Sequence, residues 1–350
     1  LTTSNAASGG GGLPRTPEIR RGGPLGLSRS SRSGRTLWKR PVLATGLFVG
    51  ALTVVYLVQV SPLPRPNVLL VTIDTLRADR LGCYGRSAAK TPWIDRLARE
   101  GVRFERCYAS APLTRPSHAT ILTGLEPFHH GVRDNLSMAL PEGLPTLAAL
   151  LGGEGWTSAA IVASDPLVRA SGLDRGFGAY DDDLDATAPR PEGHFRERTA
   201  DQVADRALGF LEGAGRRGPF FLWAHFFDPH AEYSPPAEYR RAGTPYDGEI
   251  AFVDAQLGRI LAALEESGRL DDTIVVVTAD HGEGLGDHGE ATHGYFLYDS
   301  TLRVPLVVRW ASGLEPGTSV ADPVRLVDVC PTILDLAGVE GPPDQDGLSL

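Results

Sequence analysis

Thr114-Arg115-Pro116-Ser117-His118-Ala119, continued by Thr120-Ile121-Leu122-Thr123-Gly124, is the stretch around which the rest of the chain can be organised. It sets a hydroxyl three residues ahead of a helix-compatible apolar run, where a helix N-terminus turns unpaired N–H groups and the positive end of its dipole toward an anion. A hydroxyl so placed is a candidate nucleophile. Upstream, Asn67-Val68-Leu69-Leu70-Val71-Thr72-Ile73-Asp74-Thr75-Leu76-Arg77-Ala78-Asp79 is an apolar strand pattern ending in a carboxylate. Downstream come Phe226-Phe227-Asp228-Pro229-His230 and then Ile274-Val275-Val276-Val277-Thr278-Ala279-Asp280-His281-Gly282-Glu283, which continues to His293-Gly294-Tyr295.

Together the four segments, which span residues 67 to about 310, resemble the sulfatase-like hydrolases of the alkaline phosphatase superfamily. The 114–124 stretch resembles the sulfatase signature Cys/Ser-x-Pro-Ser-Arg-x-x-x-hydrophobic-Thr-Gly. Thr114 stands where sulfatases carry the Cys or Ser that becomes formylglycine, and His118 stands where they carry Arg. Without Cys or Ser at 114 there is no aldehyde hydrate. Sulfatases usually show Asp-Asp after the first strand and Asp-Asn after the later one, whereas this chain has Asp74-Thr75 and Asp280-His281. The second pair resembles the phosphonate monoesterase, phosphodiesterase and phosphoglycerol-transferase branches, and Thr at the nucleophile position occurs in the latter two.

The residues themselves support a metal site. In an open α/β sheet, ligands bind at the carboxyl ends of the strands. Asp74 ends one apolar strand and Asp280-His281 end another, so two carboxylates and an imidazole can converge as a mixed O/N site. Zinc or manganese is expected there rather than calcium. Thr114, itself a ligand of the divalent ion and acidified by it, would attack phosphorus or sulfur and form a covalent ester that water or a second alcohol resolves. Ser117 is the competing hydroxyl, although its place in the signature is structural. The resemblance makes His230 a substrate contact able to act as general acid. It places His293 where relatives carry Lys or His on the transferred group. Asn135 resembles a substrate-contacting Asn of the phosphonate monoesterase branch. His118 joins the expected catalytic set, and Asp228 is a weaker candidate for a second metal. Arg77 is expected to bind the substrate anion, and for Arg77 and Arg115 alike pairing with nearby acids stays open.

Strand-like runs at 68–73, 159–162, 220–225, 274–278 and 304–308 alternate with helix-like stretches at 197–211 and 247–266. In the last, Ile250, Val253, Leu257, Ile260, Leu261 and Leu264 recur at three-to-four spacing. Near-continuous apolar strands between amphipathic helices predict an α/β fold, a mostly parallel central sheet with helices on both faces. The Gly-, Pro- and Asp-rich region 173–193 reads as a surface loop.

Residues 1–40 carry seven Arg, one Lys and Glu18, a net +7 that predicts a disordered basic arm; the whole-chain −9 therefore leaves −16 on residues 41–350. An acidic body argues against a nucleic-acid partner. From Val42 to Val60 no residue is charged, and at ~1.5 Å per residue this run is ~28 Å long, enough to cross a bilayer. A membrane helix over 41–60 and a Pro-rich linker over 61–66 would precede a catalytic domain over 67–350. Because the basic residues come first, the domain is expected outside the cytoplasmic membrane in a single-pass arrangement. A cleaved signal peptide is the competing reading, against which stand the long basic region and the missing small-x-small site. The chain starts at Leu1 and stops at Leu350, and is read as a fragment whose C-terminal subdomain is truncated. Cys83, Cys107 and Cys330 lack metal-ligand spacing; small buried residues and a Cys83–Cys107 bridge both remain open.

The expected activity is thus a membrane-anchored, metal-dependent hydrolase of a sulfate or phosphate/phosphonate ester, with phosphodiesterase chemistry within that range. Its expected substrate is an anionic ester, with a glycan or a lipid head group as the candidate carriers. Two alternatives accompany it: a phosphoglycerol or phosphoethanolamine head-group transferase, and an inactive binding protein.

Overall fold

The computed structural model describes residues 65–185 and 195–350. The expected basic arm, the expected membrane helix and most of the linker lie outside these residues. Among the described residues no helix is long and apolar enough to cross a membrane.

A nine-stranded sheet runs in the order β4-β3-β5-β1-β6-β7-β2-β8, with β9 also beside β2. The strands are β1 (Asn67–Ile73), β2 (Val102–Tyr108), β3 (Thr157–Ile161), β4 (Ala179–Asp181), β5 (Phe220–Phe226), β6 (Thr273–Ala279), β7 (Arg303–Arg309), β8 (Thr318–Val320) and β9 (Val324–Arg325). Only the two pairings made by β7 are antiparallel, so the sheet is mixed, with β7 running against all the others. Every residue of β1, β5 and β6 is buried, as the unbroken apolar runs require of strands covered on both faces. β2 was not visible in the sequence: its Val-Arg-Phe-Glu-Arg-Cys-Tyr alternates apolar and charged residues. β4 falls inside the region expected to be loop.

Two helical layers cover the sheet. Helices α1 (Pro92–Glu100), α4 (Ala200–Glu212) and α5 (Pro245–Glu266) pack on one another, as do α2 (Thr114–Thr123), α3 (Leu147–Gly153) and α6 (Val329–Ala337). α5 starts two residues earlier than its apolar face suggests, because Thr244 and Asp247 form a capping box and Pro245 takes the first helical position. α2 likewise starts at Thr114 itself rather than three residues later. Pro116 fits there because the first turn needs no intrahelical N–H partner. All three cysteines are free.

The register of the central strands fixes where the chemistry-bearing residues emerge. Ile73 pairs with Ala279 on one side and Phe226 on the other. Asp74 and Asp280 are therefore side by side as the chain leaves the sheet.

Candidate active site

Asp74, Asp280 and His281 are fully buried at the ends of β1 and β6. His281 Nδ1 donates to the Gly282 carbonyl at 2.9 Å, which leaves Nε2 as a bare lone pair. Nε2 lies 3.6 Å from Asp74 Oδ1 and 3.4 Å from Asp280 Oδ2, and none of these three buried atoms has a hydrogen-bond partner. They offer one ligand atom each within 4.8 Å of one another. Three buried acceptors facing each other have no donor to share, so the group fits a cation that answers all three at once. Without one, burial and then the charge of Asp74 push the Asp280 carboxyl well up, while burial drives the His281 imidazole well down. Such an arrangement is costly unless something positive enters it.

The turn beneath is held tightly. Thr75 adopts φ 54°, a left-handed conformation worth about 1–3 kcal/mol of strain for a β-branched residue. It is fixed by its N–H to Asp280 Oδ1 (3.3 Å), its hydroxyl to the Pro229 carbonyl (2.5 Å) and the Tyr246 hydroxyl on its carbonyl (2.7 Å). Gly282 is required because a Cβ there would collide with the Ser300 carbonyl.

Thr114, first residue of α2, is buried, and its hydroxyl points to Asp74 Oδ2 at 3.5 Å. Ser117 instead donates to the Ala111 carbonyl at 2.8 Å, which removes it from contention. His118 is expected to be catalytic, but both ring nitrogens are hydrogen-bonded within the protein, with Nδ1 3.7 Å from Asp280 Oδ2. Its Nδ1 donates to the Thr114 carbonyl at 2.8 Å, so Nε2 must accept from the Thr72 hydroxyl at 2.9 Å, itself receiving Trp223 Nε1–H at 2.9 Å. Burial, with His225 nearby, lowers the His118 pKa to about 3 and keeps the ring neutral. His118 is a positioning residue that ties the first turn of α2 to β1.

Around this floor stand two further histidines. His230 Nδ1 donates to the Ala231 carbonyl at 2.8 Å, and the ring stacks on Phe227 at 4.2 Å. His293 lies 4.4 Å from the His281 ring and 5.2 Å from the His230 ring, with Nδ1 3.2 Å from Glu283 Oε1. Burial lowers the His230 pKa, whereas Glu283 overcomes burial and raises that of His293. His293 is therefore the more basic of the two rings, although the sequence pointed to His230 for proton donation. Glu283 is fully buried and also accepts from the Tyr233 hydroxyl at 2.9 Å.

Three expectations change. Arg77 does not reach an anion site: it pairs with Asp79 and Asp287 at 2.8 Å each and donates to the Glu283 carbonyl at 3.1 Å. Arg115 donates to the Pro166 and Met138 carbonyls at 2.7 and 2.9 Å. Asp228 accepts the Ala200 N–H at 2.8 Å, at the first residue of α4, and lies outside the group formed by Asp74, Asp280 and His281. Asn135 takes the Arg115 N–H on its Oδ1 at 2.9 Å, which sets the amide orientation beside Thr114.

Sequence reasoning missed His225 and Glu283. His225, on β5 opposite Thr72, is fully buried with Nε2 3.5 Å from Asp74 Oδ2. The available signal was a lone imidazole inside an otherwise apolar central strand.

The family model described as Sulfatase matches residues 66–339. Steryl-sulfatase of Mus musculus is 31% identical over 83% of this chain and 65% of its own length. The N-acetylglucosamine-6-O-sulfatase of Bacteroides thetaiotaomicron is 26% identical over 82% of this chain and 70% of its own length. The crystal structure of the phosphonate monoester hydrolase of Agrobacterium radiobacter superposes with a TM-score of 0.70 at 26% identity, covering 82% of this chain and 76% of that one. The chain spans about two thirds of the length of the curated relatives it matches.

Proposed function

Since the chain belongs to the sulfatase family, we propose that it is a metal-dependent hydrolase cleaving a sulfate or phosphate/phosphonate ester through Thr114. The observation that carries this reading is the encoded Thr114 hydroxyl, 3.5 Å from Asp74 Oδ2, beside three buried ligand atoms that lack partners. Those ligands, Asp74, Asp280 and His281, would hold a divalent ion whose charge acidifies the Thr114 hydroxyl and balances the anion. An imidazole in the set favours zinc or manganese over the all-oxygen preference of calcium. All three ligand atoms lie within 4.8 Å of one another, close enough for one ion to be shared among them.

Thr114 Oγ1 attacks the central sulfur or phosphorus, and its proton passes to Asp74 Oδ2. The bond to the ester alcohol breaks on the opposite side, and His293 protonates the departing oxygen. Water then releases the group from Thr114. The Asn135 amide N–H groups would steady the transferred group, while His230, with its hydrogen on Nδ1, would offer Nε2 only as a proton acceptor. Asp280-His281 and the phosphonate monoester hydrolase likeness favour including phosphorus esters. A head-group transferase differs only in which hydroxyl accepts the group, and product analysis with added alcohols separates the two.

The alcohol half of the ester meets an apolar rim: Leu136 and Met138 follow Asn135, and Tyr295, Phe296 and Leu297 follow His293, all exposed. With −16 on residues 41–350, a single anionic group on an uncharged alcohol suits this rim better than a polysulfated chain. Anchoring through residues 42–60, with the catalytic part outside the cytoplasmic membrane, completes the reading. The full chain should stay in the membrane pellet after a high-salt wash, and release by salt would exclude the anchor.

A panel of aryl sulfate, phosphate monoester, phosphate diester and phosphonate monoester should reveal turnover that Thr114→Ala lowers by several orders of magnitude and Thr114→Ser partly keeps. Acid trapping should place the adduct on an otherwise unmodified Thr114. An adduct on Ser117, or full turnover in Thr114→Ala, overturns the mechanism.

A further inference from the structure

His225 is a buried imidazole near the floor that the mechanism does not use. Its Nδ1 receives the Ala163 N–H at 3.1 Å. A ring nitrogen that accepts an N–H must present its lone pair, so the neutral ring carries its hydrogen on Nε2. Nε2 is buried, lacks a hydrogen-bond partner, and faces Asp74 Oδ2 at 3.5 Å.

Although it sits beside a ligand carboxylate, His225 cannot be a fourth ligand, because the nitrogen nearest the site bears a hydrogen. It can only donate. Asp74 divides its two oxygens accordingly: Oδ1 lies among the unpartnered ligand atoms, and Oδ2 lies between His225 Nε2 and the Thr114 hydroxyl, each 3.5 Å away. Hydrogen bonds of catalytic groups are often long before the site is loaded. The ring itself is wedged: it meets His118 edge-on at 4.9 Å and 84°, and its strand position is locked opposite Thr72.

On the metal-dependent reading, which this inference rests on, we propose that His225 is a positioning residue. Its Nε2–H holds Asp74 Oδ2, so that Oδ1 is presented to the divalent ion and Oδ2 stays beside the nucleophile. His118 and His225 then act on the same hydroxyl by different routes. His118 fixes the backbone of Thr114, and His225 fixes the carboxylate that Thr114 faces. Backbone groups set the two rings to opposite tautomers, Nδ1–H in His118 and Nε2–H in His225.

The test uses the full chain freed of metal and titrated with Mn2+ alone by calorimetry. His225→Phe keeps a ring without a donor and should weaken Mn2+ binding by about 10–100-fold, the usual effect of losing a group that orients a ligand. His225→Gln puts an amide N–H near the Nε2 position and should recover most of that loss. Equal affinity in His225→Phe and the parent chain, or no recovery in His225→Gln, overturns the proposal. Asp280→Ala separates the two levels of inference. If it abolishes Mn2+ binding while His225→Phe does not alter it, only the role of His225 fails. If the parent chain binds no divalent ion, the metal-dependent reading fails and this proposal with it. Histidine-selective 15N spectra of the parent chain need no variant at all. They should show His225 as the Nε2–H tautomer with and without Mn2+, and an Nδ1–H tautomer or loss of the Nε2 hydrogen on adding Mn2+ also overturns it.

Discussion

On the floor of the cleft Asp74 Oδ1, Asp280 Oδ2 and His281 Nε2 have no hydrogen-bond partner, whereas Arg77, Arg115 and His118 in the wall direct their polar atoms at the protein itself. Residue type alone points the other way, since a guanidinium looks like an anion binder and a buried carboxylate looks like a structural group. Satisfaction of the polar atoms separates them. A buried group whose bonds are complete supports the fold, and a buried group left incomplete awaits something that the chain does not supply.

The largest expected effect comes from removing a floor residue. Asp280→Ala should abolish bound metal and lower turnover by several orders of magnitude while the chain stays folded, as judged by elemental analysis alongside circular dichroism. Full metal occupancy in that variant would break the contrast at its stronger end.

The floor was legible because strand register carries it. Two apolar runs, each followed by a carboxylate, need only pair in parallel for Asp74 and Asp280 to meet, and the Ile73–Ala279 pairing does this. The wall was not legible, because its contacts cross between loops distant in sequence. Arg77 meets Asp287 across 210 residues, and nothing in a short motif announces that pairing. His118 occupied a signature position and so looked catalytic. Only the carbonyl and hydroxyl on its two nitrogens show that it works from behind. The direction of β7 was also hidden, since an apolar strand reads the same in either orientation.

An intermediate effect tests the wall. Arg77→Met should lower stability by about 2 kcal/mol, through the lost charge-assisted bonds that tie the segment after β1 to the one after β6. The KM for the ester should stay unchanged. A large rise in KM at unchanged denaturant midpoint would return Arg77 to the anion site and blur the distinction between wall and floor.

The smallest effect sharpens the comparison away from the chemistry. His130 is buried and complete: its Nδ1 accepts the Val132 N–H at 3.1 Å, so Nε2–H donates to the Thr120 hydroxyl at 3.0 Å. Burial lowers its pKa to about 4 from 6.5. The unfolded chain takes up a proton below pH 6.5 and the folded chain does not until about pH 4, so the stability tied to His130 is full above pH 6.5 and is lost as pH falls toward 4. Urea titrations should find His130→Gln destabilising at pH 7.5, with the gap to the parent chain narrowing by up to about 1.4 kcal/mol per pH unit below 6.5. A gap that widens on acidification would mean His130 is charged in the folded state.

The parallel register that brings Asp74 beside Asp280 also bears on how such a site can change over evolutionary time. Slipping one strand by a single residue would turn its whole set of side chains to the opposite face and carry the carboxylate with it, so the chemistry cannot drift by small steps. The segments that bear Leu136, Met138 and Tyr295–Leu297 are under no such constraint. Substitutions or insertions there would change which alcohol fits while leaving the reacting atoms in place. A lineage built on this scaffold can therefore explore new substrates through its rim alone.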